Sequence, residues 1–452
     1  MRDRLMNSVP ASTAEPIAAK PAGKVLLWVF IFAYLPFMFA FGIEAWPRPS
    51  VDFPPLYFAT KVVFEQHKAP YGDDAFAAQA LTLGRWVPPF LYPPPSLLVL
   101  WPLHFFDYDT GKGVLLAVNH LCIIFATWFM LRKLFREEFE RASAPIAGAL
   151  AIVYIMMFDP TVVTLHLGQV NLLLLVCLCL TWHALKRNAH ALAIAVPLSL
   201  AIVIKTYPLV LLPLLVFRRR YAAVAWTVGL FAAYCFASYV LLPQNIWPDW
   251  LQKAAPGGAE AHAGPWNQNI RAFIARTFMP NPFSEPLVAL PAIVKPLIGA
   301  LTLLVIGVTM LAGARTWFRR IAPAAIDAEF SLFLLMMFLI APVSWEHHFV
   351  YLLPSLVLVI VLLLRGDIRG HWRWIAAFSL CLIAWRIPIT DPRLTSGWWT
   401  LLISAKFYPA VALFVFFLFE TLRAGRAELP FAVSPAEKSS KHEASVESGA
   451  SR

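Results

Sequence analysis

An all-α, polytopic transmembrane helical bundle of about twelve spans is the fold class this sequence predicts, and three observations predict it. Of its 452 residues 60% are hydrophobic and only 14% charged, against about a quarter charged in ordinary soluble chains. That balance excludes a soluble enzyme and a disordered scaffold. The apolar residues fall in runs, many of them near the ~20 residues needed to cross hydrocarbon. The 37 Lys and Arg outnumber the 26 Asp and Glu, and they cluster between those runs. The excess therefore marks cytoplasmic loops by the positive-inside bias rather than a nucleic-acid surface.

Taken in order, residues 1–23 read as a disordered cytoplasmic tail. The run at about 25–43 exceeds a signal-peptide core and is expected to be an uncleaved first span, entering from the cytoplasm beside Lys20 and Lys24. Residues 44–110 turn polar, aromatic and proline-rich and form the first outer loop. Within it about 97–106 is apolar but too short to cross, which suits an interfacial or re-entrant helix. A span at about 113–130 returns to the basic run Arg132, Lys133, Arg136 and Arg141. Further basic stops follow at Lys186 and Arg187, at Arg218, Arg219 and Arg220, at Arg315, Arg319 and Arg320, at Arg365, Arg369 and Arg373, and at Arg423 and Arg426.

The chain must cross an even number of times between successive stops. This pairs about 146–164 with 170–185, the short 190–204 with 206–217, and 222–242 with 286–312 around a second outer loop at 243–285. Two more hairpins turn near Ser344 and Asp391. Both termini are then cytoplasmic, with a membrane domain over 24–420 and a disordered cytoplasmic tail over 421–452. Cys122, Cys177, Cys179, Cys235 and Cys381 lie in apolar segments without metal or redox spacing and read as buried, inert thiols.

This topology gathers the polar clusters on one face: Asp52, residues 166–171, Lys205, residues 266–271, residues 344–348 and Asp391. Ionisable groups at the membrane are expensive and usually functional. Lys205, between two apolar runs, is either a snorkelling side chain or a fixed cation for a lipid phosphate. Arg271 is a second candidate cation or a plain surface arginine. The amides of Gln169, Asn171, Asn267 and Gln268 can bridge sugar hydroxyls, each being donor and acceptor at once. Trp266, Trp345, Tyr57 and Tyr92 can stack on a sugar face or anchor the interface. His347 and His348 are adjacent, so at most one faces a common cavity well, and their spacing makes no zinc site. Asp73 and Asp74 flank a glycine turn and read as solvated. Asp107-Tyr108-Asp109 has a metal-diphosphate spelling, but Asp109 and Thr110 stand where a helix is capped, and no metal or other cofactor is expected.

Several of these residues occur in a familiar order. Asp52-Phe53, Tyr57, Ala59, Pro70-Tyr71, Tyr92-Pro93-Pro94 and Trp101-Pro102-Leu103 are followed by Gly168-Gln169-Val170-Asn171, Lys205-Thr206-Tyr207-Pro208-Leu209, Asn267-Gln268 and Ser344-Trp345-Glu346-His347-His348. Over about 25–364 this resembles glycosyltransferase family 87, membrane enzymes of the GT-C class that take sugars from polyprenyl-phosphate donors. The resemblance implies a GT-C bundle with Asp52 as general base and Lys205 on the donor phosphate. His347 or His348 would donate to the departing phosphate, and Glu346, Tyr57, Tyr92, Arg271 and the four amides would bind substrate. It implies an inverting hexosyltransferase of the plasma (inner) membrane, moving a hexose, most plausibly mannose, to a lipid or glycan acceptor at the outer face. The family's amide loop usually continues Asn-Gln-Ser where this chain has Asn269, which bears on specificity. A transporter or flippase of a lipid-linked sugar is the alternative, and it would place polar groups near the midplane rather than at one face.

Overall fold

The computed structural model describes residues 19–72, 75–255, 263–319 and 325–424. Most of the two expected tails, Asp73, Asp74, Arg320 and Arg426 lie outside these. Among the described residues the regular elements are helices, with β pairing confined to the isolated bridges Asn267 to Trp345 and Asn281 to Ser284.

Among the described residues seven helices are long and apolar enough to cross a membrane: Gly23–Ile43, Tyr108–Leu134, Pro145–Leu167, Tyr221–Leu241, Pro291–Arg315, Glu346–Leu364 and Phe407–Ala424. The runs Asn171–Lys186, Ala191–Ile204, Tyr207–Phe217 and His371–Ala384 are helical but shorter, as is Ile326–Ile340 with 15 residues. Segments that are apolar all round can be buried on every side or face lipid on one, and the chain uses both options. Most residues of Glu346–Leu364 are buried and it runs through the middle of the bundle, whereas few of Tyr221–Leu241 are and it lies at its margin.

Prolines open the pieces that follow two of the helix breaks. The span Pro145–Leu167 is interrupted at Met157 and Phe158, and Pro160 opens the second piece, Asp159–Leu167, at a position where its missing N–H is harmless. Helix Ala191–Ile204 stops at Lys205, which is extended, and Pro208 opens the tighter 3₁₀ turn Tyr207–Leu211. The Tyr108–Phe129 helix is capped by Asp107, whose side chain accepts from the Thr110 N–H at 2.9 Å and the Thr110 hydroxyl at 2.8 Å. The cap is thus Asp107, with Asp109 in the first turn, and these bonds hold the Asp107 carboxyl below its ordinary range.

Two apolar cores result. The larger runs through the bundle, and a smaller one joins Phe53, Leu56, Phe90, Leu97 and Leu103 of the 44–110 segment to Val170 and Ile204. The short helical run Ser96–Phe105 packs on helix Phe53–Gln66 within this second core. Buried ion pairs staple the end carrying the basic stops: Lys186 to Glu138 and Asp327, each at 2.7 Å, and Arg218 to Glu329 at 2.6 Å. Cys122, Cys177 and Cys179 are buried, as expected, but Cys235 is half-buried and Cys381 exposed, each on a helix with much of its surface outside the core.

Candidate active site

The site begins with Gly168. Its φ of +73° ends helix Asp159–Leu167 in the left-handed region, where glycine carries no steric penalty. A Cβ there would stand 2.6 Å from the Phe53 Cβ, so the missing side chain also lets two segments meet. Across that contact the Asp52 N–H donates to the Leu167 carbonyl at 2.9 Å. The closure places Gln169 beside Asp52.

From there a polar path crosses five chain segments. Gln169 Nε2 donates to Asp52 Oδ2 at 2.7 Å, and the Tyr92 hydroxyl donates to Gln169 Oε1 at 2.6 Å. Asn119 Nδ2 holds the Gln169 carbonyl from below at 2.8 Å. The Lys205 ammonium lies 5.3 Å from the centre of the Tyr92 ring. It donates to Asn171 Oδ1 and stands against His348 Nε2, both at 2.9 Å. Tyr351 completes the path by donating to the same Asn171 oxygen at 2.5 Å. Asp52 is 7% exposed, and burial raises its carboxyl while the Gln169 bond and the Lys205 charge pull it back. Burial drives Lys205 down to about 7, against the opposing pull of Asp52.

Asp52, Tyr92, Gln169, Asn171, Lys205 and His348 are therefore brought together. The His347 ring meets the His348 ring edge-on at 4.6 Å, and its buried Nε2 has no hydrogen-bond partner among the described residues. Glu346 faces Lys406, with Oε1 3.1 Å from Nζ at ion-pair distance but without hydrogen-bond alignment. Tyr57 is apart from the path. Its hydroxyl donates to the Phe106 carbonyl at 3.0 Å, and its ring packs on Phe53 and Tyr108.

Asn267 and Gln268 are both fully buried and bonded to backbone. Asn267 Oδ1 accepts from the Ser344 N–H at 2.8 Å. Gln268 Nε2 donates to the Pro265 and Ile403 carbonyls at 2.8 and 2.7 Å, and its Oε1 accepts from the Phe407 N–H at 3.2 Å. Asn269 caps helix Ile270–Phe278 and donates to the Ala341 carbonyl at 2.7 Å. Arg271 is half-buried in the first turn of that helix, with no ion-pair partner among the described residues. A cation there opposes the helix dipole, so its placement favours an anion nearby. Asp391 forms a two-oxygen pair with Arg393 and lies apart.

Sequence reasoning passed over Tyr351, Asn119, Lys406 and Arg276. The fully buried Arg276 donates to the Gly264 and Asn267 carbonyls at 2.7 and 2.9 Å and to the Ser404 hydroxyl at 2.8 Å. The only signal for it was a lone cation on an otherwise apolar helix face.

The model of glycosyltransferase family 87 matches residues 90–342. That stretch includes Tyr92, Gln169, Asn171, Lys205 and Arg271 and leaves out Asp52 and Glu346, His347 and His348. The chain is 26% identical to the polyprenol-phosphate-mannose-dependent α-(1-2)-phosphatidylinositol pentamannoside mannosyltransferase of Mycolicibacterium smegmatis, over 68% of this chain and 70% of that protein. It is 24% identical to the same organism's polyprenol-phosphate-mannose-dependent α-(1-2)-phosphatidylinositol mannoside mannosyltransferase, over 67% and 68%. It is 27% identical to an α-(1->3)-arabinofuranosyltransferase of that organism, over 54% and 53%.

Proposed function

The chain belongs to glycosyltransferase family 87 and is a membrane glycosyltransferase, and from that premise we propose that it moves a hexose, mannose first among them, from a polyprenyl-phosphate donor to a lipid or glycan acceptor at the outer face of the plasma membrane. The observation that carries the reading is the path from Asp52 through Gln169 and Tyr92 to Lys205. It joins a carboxylate able to take a proton to a cation able to hold a phosphate.

In this reading the acceptor oxygen attacks C1 as the bond from C1 to the phosphate oxygen breaks. The acceptor proton passes to Asp52, and the electron pair leaves with the polyprenyl phosphate. Asp52 Oδ2 is occupied by Gln169, which leaves Oδ1 as the oxygen to take the proton. Lys205 and His348, which stand together, offset the charge that develops on the leaving phosphate, with Arg271 a further candidate cation. One displacement inverts C1 and requires no second carboxylate. An apolar cavity of about 150 Å³ is lined by Tyr92, Ser96, Leu103, Leu115, Val170 and Ile204, the last adjoining Lys205 in the chain. Its chemistry suits the first prenyl units of such a donor.

The mannose assignment draws support from the two mannosyltransferases, and the arabinofuranosyltransferase is the reason to test it. Purified protein should transfer label from synthetic polyprenyl-phosphate mannose to a membrane-lipid extract. Transfer from a pentose donor alone would overturn the hexose reading. Movement of donor across a bilayer without transfer would favour a flippase.

A further inference from the structure

Lys406 precedes the last described helix, Phe407–Ala424, and is wholly buried. Its ammonium lies 3.4 Å from Asp159 Oδ2 and 3.1 Å from Glu346 Oε1. A buried lysine persists only with compensating charge, so three residues separated by up to 247 positions form one ionic unit. The backbone around it is fixed as well. Gln268 binds the Ile403 carbonyl and the Phe407 N–H on either side of Lys406, and Arg276 holds the Ser404 hydroxyl.

Each carboxylate begins a segment that delivers the site. Asp159 opens the helix that ends at Gly168 and presents Gln169 and Asn171. Glu346 opens the 3₁₀ turn Glu346–Leu352, which presents His348 and Tyr351. Thr164 adds a direct tie between the two segments, its hydroxyl donating to the His347 carbonyl at 3.3 Å. We infer that Lys406 is a positioning residue: by clamping Asp159 and Glu346 together it sets how His348 and Tyr351 meet Asn171 and Lys205, and Glu346 acts as its counter-ion rather than as a sugar ligand. The inference rests on the transferase reading above. It assigns to the region after residue 365 a part in the site, although the family match ends at residue 342.

The test compares Lys406→Met, Lys406→Arg and the double variant Lys406→Met with Asp159→Asn, in purified full-length protein. Lys406→Met should lower kcat about 100-fold, the scale of a misplaced catalytic group, with the donor KM within about threefold. Lys406→Arg keeps the charge and should recover to within about tenfold of wild type. The double variant removes a stranded carboxylate together with the cation, and should exceed the Met single variant by about tenfold. If Lys406→Met fails to insert, the Arg and double variants carry the test. Lys406→Met within threefold of wild type would overturn the assignment. So would a loss that appears in KM rather than kcat, or Arg and double variants that fold but remain as inactive as Met. An inactive wild-type protein would instead count against the transferase reading.

Discussion

Two pairs of buried amides differ in their partners. Gln169 and Asn171 are bonded to Asp52, Tyr92, Lys205 and Tyr351, side chains that carry charge or a labile proton. The described bonds of Asn267 and Gln268 run to backbone, where they close the turn at Ser344 and hold the segment before Phe407–Ala424. An amide that satisfies backbone groups is a fastener, and removing it leaves buried polar atoms unpaired. An amide between a carboxylate and a cation orients chemistry instead. On the function proposed above, the first pair is assigned to the reaction, and the described bonds of the second tie it to the frame.

The largest effect expected on the reacting side is that of Asp52→Asn, which should lower transfer by about two to four orders of magnitude and leave membrane insertion unchanged. Turnover within tenfold of wild type would take Asp52 out of the base role. Lys205→Ala should weaken donor binding by about 1.5–3 kcal/mol, the worth of a charge-assisted bond, and arginine at that position should restore only part of it. Equal donor affinity in wild type and variant would detach Lys205 from the phosphate.

The same lysine predicts a pH dependence. Burial depresses Lys205 to about 7, whereas an anion beside it favours the ammonium. Binding of a phosphodiester donor analogue should therefore take up a proton above pH 7 and weaken about tenfold per pH unit there, levelling off below. Calorimetry in two buffers of different ionisation enthalpy would detect the uptake. Affinity that is flat from pH 7 to 9 would mean that Lys205 is charged throughout. The smallest expected effect is none at all: chelation with excess EDTA should leave the rate unchanged, as Asp107 is engaged in capping its helix.

Much of this organisation was legible in the sequence, for reasons that particular residues show. Apolar runs specify helices wherever lipid or core surrounds them, so the expected runs are helical, but among the described residues seven are long enough to cross a membrane and the two around Lys205 are shorter. Lys205 stood out because a charge interrupting apolar runs is rare, and Asp52, Gln169 and Asn171 through their place at one face and in the motifs of the family resemblance. Partner choice was not legible, since an amide offers the same donor and acceptor to a sugar, a carboxylate or a backbone. Gln169 and Gln268 look alike until the fold assigns their neighbours. Tyr351 and Lys406 were invisible for a related reason, as their roles arise from contacts across 180 and 247 positions. Lys186 and Arg218 read as loop charges, and their second role as buried ion-pair staples needed the three-dimensional arrangement.

The division between reacting and framing amides is tested most directly by measuring Gln169→Leu and Gln268→Leu side by side, each for single-turnover transfer and for thermal unfolding. Gln169→Leu should slow the chemical step of the folded fraction about tenfold or more, beyond whatever stability it loses as Asp52 and Tyr92 lose their partner. Gln268→Leu should lower stability by about 1–3 kcal/mol, because Phe407, Ile403 and Pro265 lose their partner, with the folded fraction transferring at a rate close to wild type. The reverse pattern, a slowed step in Gln268→Leu and a destabilised but fully active Gln169→Leu, would contradict the assignment of Gln169 to the reaction and Gln268 to the frame.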